Sequence, residues 1–141
     1  LAGKGEVDVA AALKDGRAMD KWRQMISAQG GDPDAALPEA KEHHVVTAPA
    51  SGYLSQLDAL QVGTASWRLG AGRARKEDAV QFGAGITLHA QQGQKVEAGA
   101  PLMTLHTDEP ERFARALEAL DGSFKIEATA PERKIVLERI K

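Results

Sequence analysis

The first third of the chain carries apolar residues at helical spacing. One helix is predicted over Val7 to Leu13, and a second begins after Asp15, whose carboxylate can cap a helix start. Gly30 and Gly31 end it, and Asp32-Pro33 is a further break. Two short helices offer little against which to bury an apolar stripe, so further helices or a partner are expected to cover it. The stripe consists of Ala18, Met19, Trp22, Met25, Ile26 and Ala28.

A polar segment separates this region from one with a different periodicity. Residues 34–43 contain Pro38 and are predicted to be a linker. His44 to Ala48 is rich in β-branched residues, and Gly52 to Leu57 follows a small-residue turn, so both are predicted strands. A second structural unit is therefore expected from residue 44 to residue 141.

A helix of small residues is predicted next. Asp58 is placed to cap a helix over Ala59 to Leu69, which ends at Gly70 and Gly72. Close backbone packing is expected along it, because several of its side chains are very small. These are Ala59, Gly63, Ala65 and Ser66.

The remainder alternates between strand and helix patterns. Gly85 to Gln91 predicts a strand with Ile86, Leu88 and Ala90 on one face, and Pro101 opens another strand through Leu105. Pro110 to Leu120 predicts an amphipathic helix with Gly122 at its end. Two final strands, Phe124 to Thr129 and Lys134 to Ile140, are expected to form a hairpin. The helix's apolar face is Phe113, Ala116, Leu117 and Leu120, and the fold class is α+β.

Composition excludes several classes of protein. The 141 residues are 43% hydrophobic but only 4% aromatic, so the core must be mainly aliphatic. A formal charge of −2 argues against nucleic acid or an anionic membrane as a partner. No apolar run approaches the roughly 20 residues of a membrane helix, and the absence of cysteine excludes disulfides and thiolate metal sites. A cytoplasmic location is expected, and a first residue of Leu1 suggests a fragment or processed product.

The glycine-rich segment from Leu69 to Arg73 allows two interpretations. Exposed backbone N–H groups, with Arg73 and Arg75, could cradle a phosphate. Dinucleotide-binding glycines, however, follow a strand and open a helix, whereas these follow a helix. A structural turn is therefore favoured.

The adjacent residues Lys76, Glu77 and Asp78 could form an acid/base cluster. Because the side chains of adjacent residues on a loop diverge, a solvated loop with local ion pairs, or a helix cap at Asp78, is favoured instead.

The histidines offer little catalytic chemistry. His43 and His44 are sequential and should face opposite sides of a strand, while His89 and His106 could be neighbours on paired strands. Surface histidines are favoured over a metal site. No serine lies in a Gly-x-Ser-x-Gly setting. Trp22 and Trp67 are expected in a core or an interface, and no catalytic constellation is evident.

Two segments resemble the hammerhead of biotinyl and lipoyl domains. They are Ala48 to Leu54 and, after Gly85-Ile86-Thr87-Leu88, the stretch GQKVEAGAPLMTLH from Gly93 to His106. A carrier domain presents a lysine soon after these strands, but His106 to Pro110 contains none. The resemblance therefore implies a shared local fold, with a non-catalytic binding or carrier-like module as the alternative function. An oligomerisation module built on the small-residue helix is a third hypothesis.

A broader resemblance is to the thymidine and pyrimidine-nucleoside phosphorylases. It covers DGRAMDKWRQMISAQGGDP (Asp15 to Pro33), then VTAPASGYLSQLDALQVGTASWRLGAGRARKEDAVQFGAGI, and then the hammerhead strands. Gln81 and Phe82 depart from it, because relatives often carry a more acidic or aliphatic pair there. The order and spacing of these blocks resemble the C-terminal domain of that family.

The resemblance implies reversible phosphorolysis of a pyrimidine nucleoside to base and pentose 1-phosphate. It implies a homodimeric intact enzyme with phosphate as co-substrate and no cofactor, and a C-terminal α/β-hammerhead (barrel-sandwich-like) domain with a mixed or antiparallel sheet. Residues 1–33 would belong to the helical domain, residues 34–43 to a linker and residues 44–141 to the C-terminal domain. The family's catalytic motifs match no position here, so the chain alone is expected to be inactive. The residues expected at the substrate cleft, in a loop that helps the domains close, are Gly70, Gly72, Arg73, Lys76, Glu77 and Asp78.

Overall fold

The computed structural model describes residues 8–132, 138 and 140. The chain divides into two compact units, residues 1–37 and residues 38–141. The described residues form four α-helices and two small antiparallel sheets of three strands each, so the α+β prediction is confirmed. In this part of the chain, no helix combines the length and apolar character needed to cross a bilayer.

The described part of the first unit, residues 8–37, contains two helices. Helix α1 spans Val9–Lys14 and α2 spans Arg17–Ala28. The prediction that Asp15 is the N-cap of α2 is wrong, because Gly16 takes that position; the Asp15 carboxylate instead accepts from the backbone N–H of Arg17 at 3.1 Å. No side chain of either helix is buried. The exposed stripe includes Met19, Trp22 and Met25.

The second unit is built around two sheets. One has the order β1-β5-β3, with β1 at Glu42–Thr47, β5 at Pro101–Thr107 and β3 at Gly85–Leu88. The other has the order β4-β2-β6, with β4 at Lys95–Val96, β2 at Gly52–Leu57 and β6 at Phe124–Glu127. All these pairings are antiparallel. Because β5 pairs with both β1 and β3, it brings together strands that are far apart in sequence.

Two helices of the second unit pack on its first sheet. Helix α3 spans Ala59–Ser66, and the predicted cap is confirmed, because the Asp58 carboxylate accepts from the N–H of Gln61 at 2.9 Å. A π-helical turn, Trp67–Ala71, extends α3. Helix α4 spans Arg112–Leu120 and has the predicted apolar face.

Across the described residues the core forms two clusters, and β5 contributes to both. The first joins the α3 turn, β5 and α4, and its buried members are Ala65, Leu69, Met103, Leu105, Ala116 and Leu120. The second lies by the other sheet, and its buried members are Ala48, Leu54, Ala90, Val96 and Leu102. Successive side chains on a strand point to opposite faces. The neighbours Leu102 and Met103 therefore belong to different clusters.

Several predicted details differ from the structure. Strand β1 begins at Glu42 rather than His44, and β3 ends at Leu88, where the side chain is half exposed instead of facing inward. Gly63 has open space where a Cβ would be, so it is not a site of close packing. The hairpin partner predicted over residues 134–140 lies almost entirely outside the described residues, and β6 pairs with β2.

The tryptophans were expected in a core or an interface; neither lies in the core, and the interface placement stays a prediction. Trp22 is 44% exposed and Trp67 is 41% exposed. The aromatic ring of Trp67 lies against Gly72. The core of the second unit is therefore aliphatic, as the composition predicts.

Candidate functional site

The segment from Gly70 to Gln81 is a loop closed at its neck. Gly70 interrupts the π-helical turn with φ +112°, a left-handed conformation that glycine adopts without a Cβ clash. The backbone N–H of Gln81 donates to the carbonyl of Gly70 at 3.0 Å. The chain therefore leaves the helix and returns to the same point, and we call residues 70–81 the 70–81 loop. The predicted glycine turn is confirmed.

The side chain of Gln81 holds the neck against the end of β5. Its Oε1 accepts from the backbone N–H of Asp108 at 2.8 Å, and its Nε2 donates to Glu109. The buried Thr107 hydroxyl donates to the carbonyl of Leu69 at 2.8 Å and accepts from the N–H of Glu109 at 3.2 Å. Polar groups that are removed from water in this way must be paired, so the network fixes where the loop begins and ends.

Asp78 organises the loop from within. Its Oδ2 accepts from the backbone N–H groups of Ala74 at 3.1 Å and Arg75 at 2.8 Å. Its own N–H donates to the carbonyl of Arg75 at 3.1 Å. The alternative of a helix cap at Asp78 is wrong, because no helix begins there, and the carboxylate instead closes a turn.

A pocket of about 350 Å³ lies between the loop and α4. Arg112 donates through Nη2 to Glu109 at 3.0 Å, and Arg68 donates through Nη1 to Glu118 at 2.9 Å and to the carbonyl of Arg115 at 2.7 Å. The hydrogen bond from Arg112 is the main reason that the pKa of Glu109 is lowered, with its positive charge and the Gln81 amide adding to the effect and desolvation opposing it. The lining consists of Trp67, Arg68, Gly70, Gly72, Ala74, Asp78, Ala79, Gln81, Glu109, Arg112 and Arg115.

The structure brings together only part of the predicted loop set. Gly70, Gly72 and Asp78 line the pocket, whereas Arg73 and the pair Lys76-Glu77 are exposed and do not line it. Among the described residues, neither Lys76 nor Glu77 forms an ion pair, so the expected local ion pairs are absent there.

Sequence reasoning missed the residues that anchor this loop. The sequence marks Gln81 only as a departure from the family resemblance, and its side-chain partners are 26 to 28 positions away. A signal existed for Arg112 and Arg115, because residues three apart share a helix face and these lie opposite the apolar face.

The histidines form a separate group on the first sheet. His43 Nδ1 lies 2.8 Å from His106 Nδ1, and His44 packs near the ring of Phe113 on the opposite face, as predicted. The prediction that His89 and His106 could be neighbours on paired strands is confirmed, although the side chain of His89 bonds Thr104 at 2.7 Å rather than His106. Partial burial, followed by the nearby His43 and His89, lowers the pKa of His106. Within residues 8–132, 138 and 140, no group of three or more potential ligands is arranged to hold a metal ion.

The end of β5 is unlike the lysine-bearing tip of a carrier domain. Thr107 is fully buried and bonded to Leu69, and the chain passes within a few residues into α4. The segment is thus used internally, to hold the 70–81 loop.

Comparison with known proteins gives a consistent set of matches. Residues 53–127 match the family described as "Pyrimidine nucleoside phosphorylase C-terminal domain". Thymidine phosphorylase of Mycobacterium tuberculosis H37Rv is 45% identical over 141 residues, covering 99% of this chain and 33% of that protein. Pyrimidine-nucleoside phosphorylase of Staphylococcus epidermidis RP62A is 38% identical over 122 residues, covering 83% and 28%. Human thymidine phosphorylase is 32% identical over 142 residues, covering 91% and 30%. The chain spans about a third of the length of these relatives.

Proposed function

Because this chain belongs to the pyrimidine nucleoside phosphorylase C-terminal domain family, we propose that it is the C-terminal part of a thymidine or pyrimidine-nucleoside phosphorylase. The observation that carries the proposal is 45% identity to a thymidine phosphorylase along 99% of the chain. In the intact enzyme, phosphate would displace the pyrimidine from the nucleoside. The bond between the sugar's C1′ and the base nitrogen breaks, a C1′–oxygen bond to phosphate forms, and the free base leaves.

Within that enzyme, the proposed role of residues 44–141 is structural. They would form the α/β-hammerhead domain, with residues 1–33 belonging to the helical domain and residues 34–43 linking the two. The two small antiparallel sheets and the helices packed on them support this architecture. The intact enzyme is proposed to be a homodimer that binds a pyrimidine nucleoside and phosphate.

The 70–81 loop is proposed to help close the substrate cleft. Closing loops exclude water and align substrates. Two features support the role: the loop has an internally bonded turn at Asp78, and its neck is fixed by Gln81. It also presents three exposed cations, Arg73, Arg75 and Lys76, at its outer end. A loop of this construction can meet an opposing surface without unfolding.

The experiment that tests the function compares two purified proteins. The protein encoded by the whole gene is incubated with thymidine or uridine and phosphate, and base release is followed by chromatography. We expect base release from the whole protein and none from residues 1–141 alone. Failure of the whole protein to release either base would disprove the assignment, and release by residues 1–141 would disprove the structural role.

Loop closure is tested in the whole protein with paired substitutions. Replacing Arg73 and Lys76 by Ala should lower kcat/KM, because both lie on the proposed closing face. Lys95→Ala is the matched control, since Lys95 is exposed on β4 and outside the loop. Equal kcat/KM values for the loop variant and the unaltered enzyme would rule out the closing role.

A further inference from the structure

The solvent-facing side of the first sheet brings two imidazoles together. His43 on β1 is the register partner of His106 on β5, and on the other side β3 runs antiparallel to β5. The two Nδ1 atoms are 2.8 Å apart, and the ring planes meet at 79°. The strand pairing therefore holds two metal-binding atoms at fixed positions on a backbone ladder.

A third side chain orients one of these rings. The hydroxyl of Thr87 on β3 lies 2.9 Å from Nε2 of His106. If Nε2 carries the proton and donates to this hydroxyl, the lone pair of Nδ1 points toward His43. Histidines that bind metals typically donate their second ring N–H to a neighbouring acceptor in this way, which fixes both tautomer and ring orientation.

We propose that His43 and His106 form a two-histidine chelate for a divalent transition-metal ion, with Thr87 orienting the second ring. The cross-strand pairing carries the proposal. In the metal-free chain the 2.8 Å separation is that of a hydrogen bond in which one ring donates its Nδ1–H to the other, and a bound ion would replace this proton. Two nitrogens, each about 2.0 Å from one ion and at right angles to each other, are also about 2.8 Å apart, whereas a tetrahedral angle needs about 3.3 Å. Right-angled nitrogen ligation is typical of Cu²⁺ and Ni²⁺, so these ions are favoured over Zn²⁺. The other coordination positions are taken by solvent.

The surroundings suit a cation. The cavity beside the pair has a volume of about 390 Å³, and among the described residues its lining includes Glu39 but no lysine or arginine. Backbone packing makes its wall firm, since a Cβ on Gly83 would lie 2.5 Å from the backbone nitrogen of Ala40.

Calorimetric titration of the tag-free chain with Ni²⁺ at neutral pH tests the proposal. We expect one ion per chain. His43→Ala and His106→Ala should each weaken binding at least tenfold, because a chelate of two ligands loses half of its protein donors. Thr87→Val keeps the shape but removes the hydroxyl, and should weaken binding several-fold. His44→Ala is the matched control, because His44 is adjacent in sequence but faces Phe113, and it should leave binding unchanged.

Two results would overturn the proposal: no Ni²⁺ binding by the unaltered chain, or unchanged affinity in either ligand variant. Circular dichroism establishes that each variant is folded. If the alanine variants do not fold, proton NMR of the unaltered chain decides the question. Substoichiometric Ni²⁺ should broaden the imidazole signals of His43 and His106 before that of His44, and uniform broadening of all three would contradict the proposed site.

Discussion

At the scale of single residues, Gly70 and Gln81 decide the geometry of the 70–81 loop. Gly70 adopts a left-handed backbone conformation, which lets the chain turn away from the helix. The side chain of Gln81 fills the space beside Gly70. An added Cβ on Gly70 would lie 2.9 Å from Cδ of Gln81. Two effects therefore disfavour a larger residue in place of Gly70: its positive φ and the adjacent side chain of Gln81.

Substituting Gly70 by Ala should separate these constraints when it is compared with Gly93→Ala. Gly93 has φ +91° but nothing within 4 Å of an added Cβ, so its substitution incurs only the backbone cost. That cost is of the order of 1–3 kcal/mol. Gly70→Ala should lower the free energy of unfolding in urea by more than Gly93→Ala does. Equal losses would mean that the Gln81 side chain moves aside freely.

His106 makes stability depend on pH. Its pKa in the folded chain is below the ordinary value of 6.5, so the unfolded chain binds the proton more readily. The contribution of His106 to the free energy of unfolding is then fully present above about pH 6.5. It should be lost as the pH falls from there through the lowered pKa. Urea unfolding at a series of pH values should show a shallower decline for His106→Gln and an unaltered one for His44→Gln. A decline as steep in His106→Gln as in the unaltered chain would contradict the assignment.

At the scale of elements, the sequence predicted those features that depend on residues close together in the chain. Strand β2 and the Asp58 cap follow from a turn and a capping residue beside them in sequence. The pairing of His43 with His106 could not be predicted in this way, since it depends on β5 lying between β1 and β3. The hydrogen bonds of Gln81 are equally non-local. Of the candidate site, the glycine turn was therefore predictable, whereas the turn closed by Asp78 and the side chains that hold the loop in place were not.

Helix α3 offers a direct test of a predicted cap. Asp58→Ala removes the acceptor for the N–H of Gln61 and should lower the free energy of unfolding by about 1 kcal/mol. Asp58→Asn keeps an oxygen at the same position and should cost much less. Equal losses in urea unfolding would show that the charge of Asp58, rather than the hydrogen bond, is what stabilises the helix start.

At the scale of the whole molecule, stability resides in the second unit. Both core clusters lie within residues 38–141, whereas neither α1 nor α2 buries a side chain. The free energy of folding comes mainly from apolar surface removed from water. The first 37 residues should therefore contribute little to the folding of the rest.

Deleting residues 1–37 tests this directly. We expect the remaining chain to unfold cooperatively in urea, with a free energy of unfolding within about 0.5 kcal/mol of the full chain, because neither α1 nor α2 buries a side chain. Deleting residues 124–141 is the contrasting variant. Phe124 packs against both clusters and β6 pairs with β2, so this deletion should abolish cooperative unfolding. Loss of cooperativity on removing residues 1–37 would instead show that the two helices are needed to fold the sheets, although they bury no side chain.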